Sequence, residues 1–392
     1  MLQEMVLLKM FKFLTNSKHP SLGPHLYLLG LTGIWQPDEK TQFTRLKMII
    51  FYIIVAFFSS QYMKCILYPK IESIQLILQY VPFHLGIVKA CYFRRESKTW
   101  SSLVNFLSQV ECKQIEGKEE KMITIVESYI QRNRRITYFF WALAFFSNFS
   151  IFSEPYAKNR IIENGTSIYL NIFDGFVPFG GEPPGYYISM AIQTILGHIV
   201  SAYVIGWDTM VASIMIFFAG QLKMSRSHAK EVVKSDTVET HRSIANCHKF
   251  HVELVKHQRI FNGLISQVMF VYLIVISVNL GVCIIQIVEV QDDLAMLISS
   301  CLFVVACLIQ LLLFYWFSNE VTEESLKVSY GVFESDWVKC DKLIQKEIHL
   351  LGLTLSNRLV FKAGPFNEMS LTTFVFILRT SYSFYTLLNK TN

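Results

Sequence analysis

The sequence predicts an all-α polytopic membrane protein: seven transmembrane helices, the N-terminus cytoplasmic and the C-terminus extracellular, with helices extended into a cytoplasmic bundle. Three observations lead there. Seven apolar runs, at residues 46–68, 71–93, 136–155, 186–220, 263–289, 293–318 and 366–389, each approach or exceed the roughly 20 residues that a helix needs to cross a bilayer. Only 17% of residues are charged, against roughly 25% in an average soluble domain. Finally, 28 of the 36 Lys and Arg residues lie in the N-terminal tail and in the second, fourth and sixth connections. Basic residues stay on the cytoplasmic side during insertion, so those four segments are cytoplasmic and an odd number of crossings leaves the C-terminus outside. The net charge of +6 is then a consequence of topology and calls for no nucleic-acid partner.

Residues 1–45 form the cytoplasmic N-terminal segment, with Lys9, Lys12, Lys18, Lys40 and Arg45. Its start is broken by Glu4, Lys9 and Lys12, so no cleavable signal peptide is expected and the first span serves as its own signal. Residues 46–318 hold the first six spans. The third connection, external in this scheme, carries the glycosylation acceptor Asn164-Gly165-Thr166 and no cysteine. The eight cysteines of the chain are scattered without a C-x-x-C pair, which suggests neither a disulfide framework nor a zinc site. Residues 223–259 and 338–360 mix charges with apolar residues such as Val232, Val233, Ile344 and Ile348, and predict amphipathic helices that prolong spans four to six. Residues 319–364 are accordingly a cytoplasmic helical anchor, and 365–392 the seventh helix with a short external tail.

Motifs for catalysis are missing from the sequence. There is no G-x-S-x-G, no G-x-x-x-x-G-K-[ST] and no G-x-G-x-x-G, so neither an enzyme nor an ATP-driven pump is expected, and no cofactor. His241, His248, His251 and His257 cluster, but no Cys or carboxylate pair completes a metal site, and they read as residues of an amphipathic helix. Charges inside the bilayer default to function. Asp208, about 33 Å along an ideal helix from Tyr187, is expected near the inner edge, capping or bridging helices there. Arg379, midway along the last span, is expected to line an aqueous path or to pair with an acid such as Asp208.

Aromatic and small polar side chains concentrate in the outer halves of the middle spans, a mixture suited to a pocket for a small lipophilic ligand there. The candidate ligand-binding residues are Tyr80, Phe83, Phe145, Phe149, Tyr187, Met190, Thr194 and Tyr272. The last span carries Ser370, Thr373, Thr380, Ser381, Ser383 and Thr386, more hydroxyls than a lipid-facing helix needs, as for a helix that lines a pore or packs centrally in an oligomer.

Ser370-Leu371-Thr372-Thr373-Phe374, followed by Ser381-Tyr382-Ser383-Phe384-Tyr385-Thr386-Leu387-Leu388, resembles the closing pattern of the insect odorant receptor family. Trp337, Ala363-Gly364, and Leu29-Gly30-Leu31 with Trp35 and Pro37 extend the resemblance over the whole chain. Asn357-Arg358-Leu359 departs from it, standing where members often carry an Arg/Gln-Pro-like element. The chain looks like a ligand-tuned member rather than the longer co-receptor. The resemblance implies a heterotetramer with the co-receptor in the plasma membrane of a sensory dendrite, a volatile odorant as ligand, and a non-selective cation pore lined by the last helix. It places Tyr385, Leu388 and Asn389 near the gate, with Arg379 on the same helix. The alternatives are a gustatory-type channel, whose usual Thr-Tyr…Gln-Phe ending is missing, and a lipophilic-solute transporter, for which internal repeats would be expected.

Overall fold

The computed structural model describes residues 14, 16–36, 42–69, 71–117, 119–158, 160–163, 166–176, 179, 182–289 and 294–391. Along the chain the helices are α1 (Gly23–Leu31), α2 (Gln42–Leu67), α3 (Ile71–Gln79), α4 (Val81–Arg95), α5 (Ser97–Ile115) and α6 (Glu120–Lys158). They continue as α7 (Gly185–Lys230), α8 (Thr237–Glu289), α9 (Leu294–Phe333), α10 (Lys342–Leu355) and α11 (Leu371–Thr391). Two antiparallel hairpins interrupt them: β1 (Arg160–Glu163) pairs with β2 (Thr166–Tyr169), and β3 (Lys362–Ala363) with β4 (Asn367–Glu368).

Among the described residues, α2, α6, α7, α8 and α9 are long and apolar enough to cross a membrane. A helix that is apolar on every side belongs in a core. α7 is that helix: every residue from Gly206 to Leu222 is buried, against α9, α4, α6, α1 and α8. The four helices α6 to α9 have 39, 46, 53 and 40 residues, about twice what a bilayer requires. Their excess length forms extensions, with α7 running unbroken to Lys230 and α8 resuming at Thr237. Residues 338–360, expected to prolong span six, do not: α9 ends at Phe333, a single 3-10 turn at Trp337–Lys339 follows, and the amphipathic stretch forms the separate helix α10.

Two helices differ from their sequence pattern, each for a backbone reason. The second apolar run is not one helix but α3 and α4, broken at Tyr80. Pro82 has no N–H, so the carbonyl of Leu78 four residues back loses its helical partner. Asn279 of α8 replaces it, its Nδ2 donating to Leu78 O at 2.9 Å. The last helix begins at Leu371 rather than at residue 366. Gly364, at φ 72°, turns the chain into the β3–β4 hairpin, and Pro365 sits in that turn. Ser370 then starts the helix, its Oγ accepting from Thr373 N at 3.3 Å.

The segment before α2 is built into the bundle. Ser21 N donates to Glu111 Oε2 at 3.1 Å, Tyr129 OH donates to Glu111 Oε1 at 3.0 Å, and Asn133 Nδ2 donates to Ser21 O at 3.2 Å. His19 and Ser108 are hydrogen-bonded at 2.7 Å, and Arg134 reaches Pro20 O at 3.1 Å. Burial pushes Glu111 up from 4.5 to about 7, although its hydrogen bonds and the Arg134 charge act the other way. In the fold this carboxyl keeps a proton that the unfolded chain releases near 4.5, so the stability it contributes is complete below that pH and drains away as pH rises to about 7. Glu111→Gln, which cannot ionise, should match the wild type in melting near pH 4.5. Above pH 7 it should exceed the wild type by an amount on the order of 3 kcal/mol. Melting curves in detergent across that range check it, and a difference that does not change with pH contradicts it.

Candidate ligand-binding site

Four helices leave a cavity of about 50 Å³ between them. α4 contributes Pro82 and Phe83, and α6 contributes Phe140, Ala144, Ser147 and Asn148. α7 adds Ser201, Val204 and Ile205, and α9 adds Phe303, Ala306, Cys307 and Gln310. The walls are mostly carbon. Ser147 is buried, and its Oγ has no hydrogen-bond partner among the described residues. An unmet hydroxyl in an apolar chamber suits a small molecule that carries one polar group.

An aromatic cluster lies over one end. Phe173, from the loop between β2 and α7, packs against Phe83 at 6.0 Å, Phe152 at 6.1 Å, Tyr80 at 5.0 Å and Phe58 at 5.0 Å between ring centroids. The loop is held on both sides. Phe173 N donates to Gln193 Oε1 at 2.8 Å, while Lys64 Nζ and Ser73 Oγ each meet the Asp174 carboxylate at 2.5 Å.

On the other side of the cavity, Gln310 donates through Nε2 to Asp208 Oδ2. Asp208 Oδ1 in turn accepts from Lys89 Nζ at 2.6 Å, and the two residues are 2% and 1% exposed. The ammonium also faces the rings of Trp207 at 4.9 Å, Tyr272 at 4.6 Å and Phe314 at 5.7 Å. Asp208 pairs with Lys89 and not with Arg379: buried on α7, it bridges α4 and α9 through Lys89 and Gln310. Arg379 is exposed on α11 and forms no ion pair among the described residues.

Of the eight candidate pocket residues, Phe83 lines the cavity. Tyr80 is buried beside it in the aromatic cluster, Met190 is buried on α7, and Tyr272 lies under Lys89. Thr194 is bonded to Tyr156 OH at 2.8 Å. Phe145, Phe149 and Tyr187 are 57%, 61% and 52% exposed and lie off the wall. Helix geometry explains the first two: Phe140, Ala144, Ser147 and Asn148 repeat at helical spacing on the inner face, and Phe145 and Phe149 fall on another stripe. Asn164 lies outside the described residues, as do the side chains of Tyr385, Leu388 and Asn389. Lys89, Ser147, Phe173 and Gln310 escaped the sequence reading. Lys89 alone carried a signal, being a charge within an apolar run.

Of the histidines, His251 is buried near Ser225 at 3.4 Å, and burial lowers it to about 4. His241 meets Glu347 at 2.7 Å, and His257 stacks on Phe106.

A family model described as 7tm Odorant receptor matches residues 71–382. The chain belongs to the odorant receptor family. Odorant receptor 10 of Aedes albopictus is 26% identical over 219 residues, 54% of this chain and 57% of its own length. Odorant receptor Or2 of Anopheles gambiae is 26% identical over 148 residues, 38% of this chain and 39% of its own length. The chain spans about half the length of the curated relatives it matches. The solved insect olfactory receptor OR5 of Machilis hrabei superposes with a TM-score of 0.80 at 15% identity, over 99% of this chain and 100% of that one. The same receptor in complex with eugenol gives 0.79 at 14% identity, over 95% and 98%. At that identity the match carries the fold: this odorant receptor is a mostly helical, multi-pass membrane protein.

Breaking the buried pair in this receptor strands a charge. Lys89→Met should cost about 3–5 kcal/mol, and Lys89→Met combined with Asp208→Asn should recover most of it, because Asn still bonds Gln310 and carries no charge. Melting of the two purified variants decides it; equal loss in both would contradict the pairing.

Proposed function

We propose that this odorant receptor is the ligand-tuned subunit of an odorant-gated, non-selective cation channel, assembled with a co-receptor in the plasma membrane of a sensory neuron. The observation that carries the reading is the unmet Ser147 hydroxyl in an apolar cavity, which fits a volatile with a single oxygen function. Phe83 supplies apolar contact, and Gln310 offers a second polar group on the opposite wall. α11, rich in hydroxyls, is the pore-lining helix, and Arg379, Tyr385, Leu388 and Asn389 are its pore and gate residues. The chain crosses the bilayer seven times, residues 319–364 anchoring the subunit in the cytoplasm.

Current recorded from cells expressing the chain with and without the co-receptor, across matched panels of volatile alcohols, ketones and hydrocarbons, tests this. Ser147→Ala should weaken the response to oxygenated ligands about five- to tenfold, the loss of one hydrogen bond, and leave hydrocarbons unchanged. An equal shift for both panels would remove Ser147 from the site, and silence to every volatile with the co-receptor present would remove the channel.

Charge distribution supports the orientation, with 28 of 36 basic residues assigned to one side. An epitope at the C-terminus should bind antibody on intact cells and one at the N-terminus only after permeabilisation. Finding both tags in one compartment would overturn it.

A further inference from the structure

Where α4 gives way to α5, an open cavity of about 550 Å³ is lined by Gln36, Arg94, Ser97, Lys98, Ser101 and Ser102 among others. Among the described lining residues, two side chains are cationic and none is a carboxylate. Glu96, between them in the chain, turns instead to Arg95, Oε1 to Nε 3.7 Å. Two donors are orphaned: Arg94 Nη1 and Gln36 Nε2 are buried atoms with no hydrogen-bond partner among the described residues. They come from different segments, α4 and the stretch before α2, and belong to the wall of one cavity. On α5 the three hydroxyls and the Lys98 ammonium fall at i, i+1, i+4 and i+5, which places them together on one side of the helix.

A wall rich in donors, with two positive charges and no acid among its described residues, favours a ligand made of acceptors and negative charge. A phosphate monoester is such a group, and a guanidinium binds it through two parallel N–H donors. Arg94 is held for that role, its guanidinium carbon 5.1 Å from the Phe51 ring and 5.7 Å from the Tyr52 ring of α2. Those contacts also lead out of the cavity. Tyr52 is exposed, and so are Ile49 and Ile53 on the same helix, an apolar track beside the site. A soluble phosphate compound has no use for that track, whereas an acyl chain does.

We propose that this cavity binds the phosphate-monoester headgroup of a phosphorylated anionic lipid, with the acyl chains laid along the exposed side of α2. Basic pockets among membrane helices serve such headgroups. The orientation proposed above decides only which leaflet supplies the lipid.

The test uses the purified full chain in detergent, with binding read by native mass spectrometry. The probes are dioctanoyl phosphatidylinositol bisphosphate, dioctanoyl phosphatidylserine and soluble inositol trisphosphate. The phosphorylated lipid should bind about tenfold or more tightly than either of the others. Lys98→Gln and Arg94→Gln should each weaken it about tenfold, while Lys339→Gln, at an exposed lysine outside the cavity, should not. Because Lys98 is exposed, its variant keeps the fold even where Arg94→Gln does not. Equal binding of phosphatidylserine would reduce the site to bare charge, and equal binding of inositol trisphosphate would make it a site for free phosphate compounds; either overturns the proposal, as does wild-type affinity in Lys98→Gln. No odorant enters the assay, so its failure leaves the channel reading where it stands.

Discussion

An ammonium and a carboxylate face each other inside an apolar bundle, and each is affordable only because of the other. Removing one ion from water costs several kcal/mol even after relaxation. What offsets that cost for Lys89 and Asp208 is their 2.6 Å contact, the Gln310 amide and three aromatic faces. These partners come from α4, α7, α8 and α9, so a helix that rotated or slipped by a turn would strand a charge. Apolar packing against lipid discriminates register weakly, because lipid is as apolar as the packed side chains. The polar cluster supplies that discrimination. Its approach is prepared one turn earlier at Gly86, where an added Cβ would overlap Val204 Cγ2. Glycine there lets α4 lie close on α7, which is what brings Lys89 to Asp208.

The cavity inherits its shape from this arrangement. Gln310 belongs both to its wall and to the ion pair, and Phe83 belongs both to its wall and to the aromatic cluster around Phe173. One side is therefore set by charge, the other by ring packing on a loop held through Gln193, Lys64 and Ser73. Between the two, the α6 wall is fixed near each end: Trp141 Nε1 donates to Thr209 Oγ1 at 3.2 Å, and Tyr156 OH meets Thr194 at 2.8 Å.

Much of the helical architecture was written in the sequence as length and hydropathy, and the extensions of α7 and α8 and the separate helix α10 as amphipathic spacing. The interior was harder to read. Along α6, Phe139, Phe140, Phe145, Phe146 and Phe149 are all aromatic, yet only Phe140 is buried. Lipid and protein core ask for the same side chains, so hydropathy alone does not say which stripe faces inward. The inward stripe is betrayed instead by small and polar residues, Ala144, Ser147 and Asn148. Asp208 shows a second limit: counting along an ideal helix says how far along α7 it lies but not what it meets, and its partner comes from a residue 119 positions away in sequence. Pro82 and Pro365 stand in or beside apolar runs, and a proline there is compatible with both a helix start and a break. Which it is depends on whether another side chain, here Asn279, takes up the freed carbonyl.

On the channel reading, the size of the cavity makes ligand entry a mechanical event. About 10–15 Å³ on this measure holds one water, so about 50 Å³ holds only a few bodies of that size. A volatile of ten heavy atoms must part the walls, and it favours whichever conformation has them parted. The walls are not equally free to move. α4 is tied by Lys89, and α3, which leads into it, by Leu78 to Asn279; α6 is tied by Trp141 and Tyr156. The part of α9 before Gln310 presents Phe303, Ala306 and Cys307 to the cavity and has no polar side-chain tie to another helix among the described residues. That part yields first. α11 packs on α8 and α9, so an outward step of α9 is felt by the helix assigned to the pore, while the ion pair holds the lower bundle as the fulcrum.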